Sequence, residues 1–502
     1  MTKSIMIQGT ASNVGKSILA TALCRILVQD GYQVAPFKSW NMSLNSYVTK
    51  KGAEIGRAQS VQADAAGIDA TADMQPLLVK PKGEGQAQVI VRGSPRGDFG
   101  VERKDQDYID WALEVIDDSL TALSQQFEAL VLEGAGSPAE INMKEQDLAN
   151  MKVAKLKQTP VLLVADLDRG GALAAVVGTL QLLEPAERDL VQGIVLNKFR
   201  GDFELLEPGI EFLEEKTGKP VVGVLPYCHE IKIPDEDSVS LTNLSSTKAE
   251  IKIAVINLPH LSNFTDFDAL ALEPKVEVDY VSAEADLTDY EAVIIPGTKN
   301  TTADLKYLQE IGLAAKIVKA AESEVAVVGI CGGYQILGQK LLDPALTEGD
   351  DKVLRGLGLL DLVTTFSQEK ATYQVQATIN DEYEFGAGEE ISGYEIHMGQ
   401  TQRGAGVEPL LTINERSGEK IKIKDGAVTS SNLVWGTYLH GIFDNDQFRR
   451  EWINYLRQQK GLAKLDGDSI EQGKELEASY DALAEMVREN LDLELLYRIM
   501  EK

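Results

Sequence analysis

The chain has 502 residues, too many for one hydrophobic core, so we expect at least two domains. Asp and Glu outnumber Lys and Arg by 78 to 49, and the net charge of −29 argues against a protein that binds nucleic acids or anionic membranes. Its three cysteines, Cys24, Cys228 and Cys331, show no paired or metal-like spacing. Together with the lack of a leader pattern and of a long apolar run, they predict a cytoplasmic protein without a membrane span.

The first predicted strand leads into a glycine-rich loop. Residues 4–8 are mostly apolar, and residues 9–17, GTASNVGKS, precede a helical pattern. A loop between a strand and a helix can hold phosphate with its backbone N–H groups. Five residues separate its glycines, one more than in the strict Walker A motif, so we interpret it as a variant nucleotide site. The predicted ATP-binding residues here are Gly9, Thr10, Asn13, Val14, Gly15, Lys16 and Ser17.

Further short apolar runs alternate with helical patterns through the first half, which predicts a mostly parallel, doubly wound sheet. These runs are residues 33–37, 129–133, 160–164, 193–197 and 220–225. Ligands of such sheets bind beyond the carboxyl ends of the strands. Lys38 follows the first run and is predicted to bind ATP, and Glu133 is predicted to hold Mg²⁺ with Ser17. Asn197 is predicted to contact the nucleotide base, with a simple strand-end turn as the alternative.

Other polar residues in this half leave two interpretations open. Asp166 and Asp168 follow a predicted strand, where they suit either ligand binding or a helix cap or solvated loop. A group of cations suits either an anionic substrate or an exposed basic face. That group comprises Lys80, Lys82, Arg92 and Arg96.

A second α/β series follows a polar stretch at residues 229–250, which we interpret as a linker. Its predicted strands are residues 251–258, 276–281, 292–296 and 325–330. Neither His229 nor His260 has a ligand-like partner nearby in sequence, so we assign neither to catalysis. The predicted domains are therefore 1–228, a linker at 229–250, 251–445, and a helical extension at 446–502. The apolar face of the extension, with Tyr480, Leu483, Val487 and Leu491, is predicted to pack on the second domain.

The last of these strands leads into Cys331, which has glycines on both sides. A cysteine at a tight turn between a strand and a helix is typical of a nucleophile, and the helix N-terminus favours its thiolate. His440, at the end of another strand-like run, is the predicted general acid and base. His397 is a competitor that we rank lower. The oxyanion-hole candidates are Gly297, Thr298 and Gly332.

In number and order, these motifs resemble those of the cobyric acid synthase family over almost the entire chain. The segments that carry the resemblance are residues 8–10, 15–17, 36–38, 41–42, 44–45, 56–59, 133–142, 166–171, 197–202, 329–335, 393–399 and 436–441. The resemblance implies a dethiobiotin-synthetase-like ATP domain fused to a class I glutamine amidotransferase domain. It also implies amidation of the b, d, e and g carboxylates of adenosylcobyrinic acid a,c-diamide through acyl phosphates. ATP, Mg²⁺, glutamine and a corrinoid are the small molecules implied, and homo-oligomerisation stays open.

One feature departs from many class I glutaminases, which carry a glutamate two residues after the catalytic histidine. Here Ile442 occupies that place, and Asp444 has the wrong spacing. The residue that orients His440 is therefore not identified from the sequence. The alternatives are cobyrinic acid a,c-diamide synthase, which shares both domain types, and a ParA-like regulatory protein with a non-catalytic glutaminase-like domain. An intact Cys331 and His440 argue against the regulatory protein.

Overall fold

The computed structural model describes residues 2–83, 86–100, 105–228, 231, 233–234, 249–467 and 469–502. His229 and nearly all of the predicted linker lie outside the described residues, as does the side chain of Lys82. Within the described part of the chain, no helix combines the length and apolar character needed to cross a bilayer.

The chain divides into two compact units that differ from the predicted domains at two places. The first unit comprises Met1–Ser43, Ile55–Glu236 and Gly473–Lys502, and the second comprises Leu44–Glu54 and Asp237–Gln472. A short segment of the first half thus belongs to the second unit. The C-terminal residues belong to the first.

The first half of the chain contains one buried parallel sheet and a smaller antiparallel one. Its elements are β1 (Lys3–Gly9), α1 (Lys16–Gln29), β2 (Val34–Phe37), β3 (Trp40–Met42), β4 (Ser46–Val48), β5 (Glu54–Gly56), α2 (Arg57–Ala65), β6 (Leu77–Gly83), β7 (Gln86–Val91), β8 (Ser94–Gly100), α3 (Gln106–Ser124), β9 (Ala129–Glu133), α4 (Met151–Leu156), β10 (Val161–Asp166), α5 (Ala172–Leu182), α6 (Pro185–Leu190), β11 (Val191–Phe199), α7 (Phe203–Thr217) and β12 (Val221–Pro226).

The second half contains another parallel sheet, a long antiparallel sheet and the C-terminal helices. Its elements are β13 (Ile251–Ile256), β14 (Val276–Val281), β15 (Ala292–Ile295), α8 (Thr301–Glu310), α9 (Leu313–Glu322), β16 (Ala326–Ile330), α10 (Gly332–Leu337), β17 (Lys340–Leu342), β18 (Val353–Arg355), β19 (Leu362–Ile379), β20 (Glu390–Arg403), β21 (Leu411–Arg416), β22 (Glu419–Asp425), β23 (Ala427–Val428), β24 (Val434–Thr437), α11 (Asp446–Gln459), α12 (Gln472–Asn490) and α13 (Leu493–Met500). A 3₁₀ helix, Phe264–Leu272, follows β13.

The parallel sheet of the first unit has the strand order β12-β11-β10-β1-β9-β2. Strands β1, β9 and β10 are almost wholly buried, because helices cover both faces of such a sheet. From central β1 the chain builds outwards to β2 on one side and to β12 on the other, which confirms the predicted doubly wound fold. The carboxyl ends of four strands meet at one edge and bring Gly9, Glu133, Asp166 and Asn197 together there.

The parallel sheet of the second unit has the order β14-β13-β15-β16-β24-β23, in which only the β23–β24 pairing is antiparallel among the described pairs. Strands β13, β14, β15 and β16 agree with predicted apolar runs, and β24 begins the strand-like run before His440, whereas β23 was not predicted. This unit is also α/β as predicted. Cys331 follows β16 and His440 follows β24, and these two strands are neighbours in the sheet. Their adjacency places the predicted nucleophile and base at one edge.

The sequence patterns do not predict the two antiparallel sheets. One, in the first unit, has the order β3-β6-β7-β8, and its β3–β6 pairing is parallel. The other, in the second unit, has the order β18-β17-β19-β21-β22 with β20 paired to β19, and its β17–β19 pairing is parallel. Long strands such as β19 alternate between buried and exposed residues only over parts of their length. A partial alternation is a weak signal, which explains why these strands were not predicted.

The prediction that the C-terminal extension packs on the second domain is wrong for its last two helices. The apolar faces of α12 and α13 join the core of the first unit, where Leu483 and Val487 cluster with Leu19 and Leu23 of α1. Helix α11 does pack within the second unit, through residues that include Trp452. Periodicity identifies the apolar face of a helix but does not identify its partner.

Candidate active sites

The loop of residues 10–15 connects β1 to α1 at the carboxyl edge of the first sheet. Two of its residues adopt the left-handed conformation, Asn13 with φ 59° and Gly15 with φ 99°. Lys16 begins α1, and its ammonium donates to the carbonyl of Gly136 at 3.1 Å and to a carbonyl of the loop itself. The ammonium therefore lies across the loop, where a lysine of this type contacts the outer phosphates of a nucleotide.

Glu133 lies at the end of β9 with its carboxylate fully buried. Its Oε1 atom accepts from Ser17 Oγ at 2.8 Å and from Lys38 Nζ at 2.9 Å, and Oε2 accepts from Gln62 Nε2 at 2.6 Å. The charge of Lys38 compensates a carboxylate that would otherwise be costly to bury. The structure thus brings together both predicted magnesium ligands, Ser17 and Glu133, whose hydroxyl and carboxylate oxygens suit a hard cation.

Asn197 supports the glycine-rich loop. Its Nδ2 atom donates to Val14 O at 2.8 Å, and its Oδ1 atom accepts from Lys198 N at 2.8 Å. A Cβ atom at Gly15 would lie 2.1 Å from Asn197 Nδ2, so this close approach requires glycine. These two bonds show that Asn197 supports the loop, and its predicted contact with a nucleotide base stays a prediction.

Asp166 and Asp168 have separate partners. Asp166 accepts from Lys198 Nζ at 2.8 Å, and the same ammonium donates to Asn13 O at 2.6 Å. Burial acts to raise the pKa of Asp166, but the hydrogen bond and charge of Lys198, together with the backbone N–H groups of Asp168 and Arg169, outweigh it and lower that pKa. Asp168 pairs with Arg200 at 2.9 Å on the surface. Asp166 therefore helps to fix the loop, whereas Asp168 forms a local ion pair.

Arg92 and Arg96, two of the other predicted cations of the first unit, have local partners. Arg92 pairs with Asp73 at 2.6 Å, and the guanidinium of Arg96 lies 3.7 Å from the centre of the Trp111 ring. Lys80 is buried. For both arginines the structure favours the interpretation as surface groups over that of a substrate site.

Cys331 occupies the turn between β16 and α10 with a φ of 51°. Residues other than glycine rarely adopt this left-handed backbone conformation, and such backbone strain concentrates at functional sites. The turn is held by Cys331 N, which donates to Thr437 O at 2.8 Å on the neighbouring strand β24. It also depends on Gly333, because a Cβ atom there would lie 1.9 Å from Ile295 O. The glycines beside Cys331 thus permit the close packing that holds the thiol at the sheet edge.

His440 is buried, and Cys331 is close enough for its charge to act on the imidazole. On its other side, Nδ1 lies 2.6 Å from Asp266 Oδ2, while Asp266 Oδ1 accepts from Gly441 N at 3.1 Å. Burial acts to lower the pKa of His440, but the negative charges of Asp266 and Cys331 raise it to about 10. The imidazole is therefore held as a cation beside the nucleophile, and Asp266 sets its orientation.

The three oxyanion-hole candidates lie close to this pair. A Cβ atom at Gly332 would lie 3.1 Å from Thr298 N, and one at Gly297 would lie 3.0 Å from His440 Cε1. The loop after β15 therefore contacts both the start of α10 and the catalytic imidazole. Backbone N–H groups at this place can stabilise a negatively charged oxygen that forms next to the thiol.

Two other histidines lie near the site without the geometry of its base. His260 Nδ1 lies 2.7 Å from Asp304 Oδ1, and Asp304 also accepts from the Thr298 hydroxyl, so this pair supports the oxyanion loop. The hydrogen bond that the Asp304 carboxylate accepts raises the pKa of His260 despite the partial burial of the imidazole. His397, on β20, stacks on Tyr438 with ring centres 3.7 Å apart. His440 has the geometry expected of the base, and its catalytic role stays a prediction.

Sequence reasoning did not find Asp266, which is 174 residues away from its partner His440. It lies on the 3₁₀ helix that follows β13, and only the pairing of β13, β15, β16 and β24 brings that helix to the histidine. The sequence feature that could have identified Asp266 is the position of an acidic residue soon after a predicted buried strand of the glutaminase-like domain. Gln62 also escaped notice, because it acts through another polar residue, Glu133.

Two family models match the chain and correspond to its two parallel sheets. A model described as "CobQ/CobB/MinD/ParA nucleotide binding domain" matches residues 5–241, and one described as "CobB/CobQ-like glutamine amidotransferase domain" matches residues 252–448. These matches agree with the positions of the glycine-rich loop and of Cys331.

The curated relatives match over essentially their full length. A cobyric acid synthase from Desulforamulus reducens is 51% identical, with 100% of this chain and 98% of that protein covered. One from Pelotomaculum thermopropionicum is 52% identical, with coverage of 100% and 97%. Another, from Carboxydothermus hydrogenoformans, is 47% identical, with 100% of both chains covered.

Proposed function

The chain belongs to the cobyric acid synthase family, and from this premise we propose that it amidates corrinoid carboxylates with ATP and glutamine. As its sequence resemblance implies, the substrate is adenosylcobyrinic acid a,c-diamide and the b, d, e and g carboxylates are converted. The observation that carries the proposal is the buried arrangement of Cys331, His440 and Asp266 in a chain that also contains a nucleotide loop. Two different reactions are thereby assigned to the two units.

The second unit releases ammonia from glutamine. The Cys331 thiolate attacks the side-chain amide carbon, and the N–H groups near Gly332 and Thr298 stabilise the resulting oxyanion. His440 gives its proton to the leaving nitrogen, which departs as ammonia and leaves a thioester. The neutral imidazole then accepts a proton from water as the water attacks the thioester. Glutamate leaves, and the thiolate and imidazolium are restored.

The first unit activates the carboxylate. A carboxylate is a poor electrophile, so transfer of the γ-phosphoryl group of ATP to its oxygen supplies a leaving group. Ammonia attacks the acyl carbon, and phosphate departs to give the amide. Lys16 lies across the loop, and Lys38 lies against Glu133 at the same edge, so both cations are positioned to stabilise the charge that develops during phosphoryl transfer.

Magnesium and location complete the proposal. The hydroxyl of Ser17 and the carboxylate of Glu133, which lie 2.8 Å apart, fit the oxygen ligands of Mg²⁺, and the ion would neutralise phosphate charge. Asn197 acts as a positioning residue for the loop. The three cysteines are free thiols, which suits the reducing cytoplasm.

The assignment of two reactions to two units can be tested with Cys331→Ser and Lys16→Ala in the full chain. Each protein receives the corrinoid a,c-diamide and ATP with either glutamine or ammonium chloride, and mass spectrometry counts the amidations. Cys331→Ser should lose glutamine-supported amidation and keep ammonium-supported amidation. Lys16→Ala should lose both while still hydrolysing glutamine.

Cys228→Ser is the matched control, because it removes an exposed thiol. It should make the fully amidated product from either nitrogen source. Loss of both activities in a folded Cys331→Ser protein would refute the division of labour. A protein that leaves the a,c-diamide unchanged, but amidates the a and c carboxylates when cobyrinic acid is supplied instead, would be a cobyrinic acid a,c-diamide synthase.

A further inference from the structure

The segment Leu44–Glu54 belongs to the second unit, although residues of the first unit flank it on both sides in the sequence. It contains β4 and begins β5, which pair with each other. The segment is anchored by buried polar groups as well as by apolar packing. Lys370 forms an ion pair with Glu54, and Gln374 donates to the carbonyl of Val48.

One group of hydrogen bonds connects this segment to two residues of the second unit. Ser46 O accepts from Asn263 Nδ2 at 2.9 Å and from the Tyr394 hydroxyl at 3.2 Å. Asn263 Nδ2 also donates to the Tyr394 hydroxyl at 2.6 Å. All three residues are buried, so each bond would be costly to leave unmade.

Tyr394 is in direct contact with the catalytic histidine. Its ring stacks on the imidazole of His440 with the centres 5.1 Å apart and the planes 15° from parallel. Two backbone hydrogen bonds join the same residues, from Tyr394 N to His440 O at 3.1 Å and from His440 N to Tyr394 O at 2.9 Å. Movement of Tyr394 would therefore disturb His440 twice, through the stacked face of the imidazole and through the backbone hydrogen bonds.

Asn263 is connected to the other side of the imidazole. It is the residue before the 3₁₀ helix that carries Asp266, and Asp266 N donates to Asn263 O at 3.1 Å. The side-chain amide of Asn263 thus holds Ser46 and Tyr394, while its backbone carbonyl accepts from the backbone N–H of Asp266, the residue whose carboxylate orients His440. The two hydrogen bonds that Ser46 O accepts therefore reach both neighbours of the His440 imidazole. One leads to Tyr394, which stacks on the imidazole, and the other leads through Asn263 to Asp266.

Apolar packing extends the connection to the nucleophile. Val48 forms a buried cluster with Tyr394 and Ile396. The Sγ atom of Cys331 lies 3.7 Å from the carbonyl oxygen of Ile396. The segment therefore packs against residues that contact both members of the reacting pair.

We propose that the segment Leu44–Glu54 is a positioning element of the glutaminase, in which the Ser46 carbonyl, through Asn263 and Tyr394, fixes the imidazole of His440 against Asp266 and Cys331. This inference depends on the proposed glutaminase function of the second unit. Its consequence is that glutamine hydrolysis requires residues from the first half of the chain, which the family model for the amidotransferase domain, residues 252–448, does not include.

The test uses Asn263→Gly, Tyr394→Phe and Val48→Ala in the full chain. Asn263 has a φ of 54°, so glycine keeps the backbone conformation and removes only the amide. Phenylalanine keeps the stacked ring and removes the hydroxyl. Val48→Ala changes the segment itself. The measurements are kcat and KM for glutamine hydrolysis, the pH profile of kcat/KM, and ammonium-supported amidation.

We expect Asn263→Gly and Tyr394→Phe to lower kcat by about 10- to 100-fold, because small displacements of a catalytic group have effects of that size. Val48→Ala should lower kcat by about 3- to 10-fold, in proportion to its smaller change in packing. KM should change by less than about threefold, since glutamine binding itself is not addressed. The basic limb of the pH profile should move to lower pH in both polar variants, and ammonium-supported amidation should stay at its original rate.

Tyr383→Phe is the matched control, because it removes another tyrosine hydroxyl of the second unit that donates to a backbone carbonyl, that of Pro409, at 2.6 Å. It should leave kcat and the pH profile unchanged. The inference is overturned if the three variants match this control, or if they lose ammonium-supported amidation equally. Failure of the proposed function is a separate result, namely a Cys331→Ser protein that still hydrolyses glutamine.

Discussion

At the scale of single residues, the charge of His440 depends on residues that are remote in sequence. Asp266 compensates the burial of the imidazolium, and its second oxygen holds Gly441 N. A glutamate two residues after the histidine is therefore not needed here, since an aspartate from another part of the sheet edge takes its place. The raised pKa of His440 keeps a proton on the imidazole that is ready for the leaving nitrogen.

The first residue-scale prediction concerns Asp266→Asn. The charge of Asp266 raises the pKa of His440 to about 10, so its removal should lower that pKa and move the basic limb of the glutaminase pH profile to lower pH. The loss of the correct orientation should also lower kcat by about 10²- to 10⁴-fold. Steady-state glutamine hydrolysis between pH 6 and about 11 measures both effects.

The raised pKa of His440 also determines how the stability of the folded protein changes with pH. The pKa of His440 is raised from 6.5 to about 10, so the contribution of its cation to stability is complete below pH 6.5 and is lost as the pH rises through about 10.

Asp286→Asn is the control for the Asp266→Asn prediction, because Asp286 is an exposed helix-capping carboxylate of the same unit. A pH profile for Asp266→Asn equal to that of Asp286→Asn would contradict the assignment.

At the scale of elements, the last two helices show how an amphipathic face finds its partner. Helix α12 places Leu483 and Val487 in the core beside α1, the helix that begins with Lys16. Arg25 of α1 adds ion pairs to Glu477 and Asp481 at 2.8 Å each. The C-terminal residues therefore stabilise the nucleotide-binding unit.

The element-scale prediction is that Leu483→Ala weakens the first unit selectively. A buried leucine replaced by alanine costs about 2–5 kcal/mol, because the cavity is only partly filled by relaxation. Thermal unfolding and ammonium-supported amidation should both report the loss, whereas glutamine hydrolysis at 25 °C should be retained. The control is Glu485→Ala on the exposed face of the same helix. A selective loss of glutamine hydrolysis would instead support packing on the second unit.

At the scale of the whole molecule, charge is the dominant global property. The net charge of −29 is spread over a chain with 78 acidic residues, so the folded state repels itself at low ionic strength. Ion pairs such as Arg449 with Glu273 offset part of this repulsion locally. Screening acts over about 30 Å at 0.01 M salt but over about 8 Å at 0.15 M.

The prediction for the whole molecule is that added salt stabilises it. The unfolding temperature should rise by about 2–5 °C between 0.01 and about 0.15 M NaCl, because repulsion is screened more than the buried ion pairs are. Differential scanning calorimetry measures the shift, and KCl at the same ionic strength controls for specific ion binding. A fall in the unfolding temperature would show that exposed ion pairs outweigh the net repulsion.

The sequence by itself determined much of the fold and part of each site. Buried parallel strands are short apolar runs, so nearly all strands of both parallel sheets were predicted within about two residues. Local motifs also placed the nucleotide loop, Cys331 and His440, because a turn between a strand and a helix is encoded by adjacent residues.

Only the tertiary structure decided which distant groups meet. The pairing of Asp266 with His440, the bonds from Ser46 to Tyr394, and the burial of Leu483 beside α1 all depend on strand order and packing, which no local pattern encodes. A helical or strand period reports which face is apolar. Which residues contact each other depends on the free energy of the whole folded chain, and each contacting pair of residues contributes only a small part of that free energy.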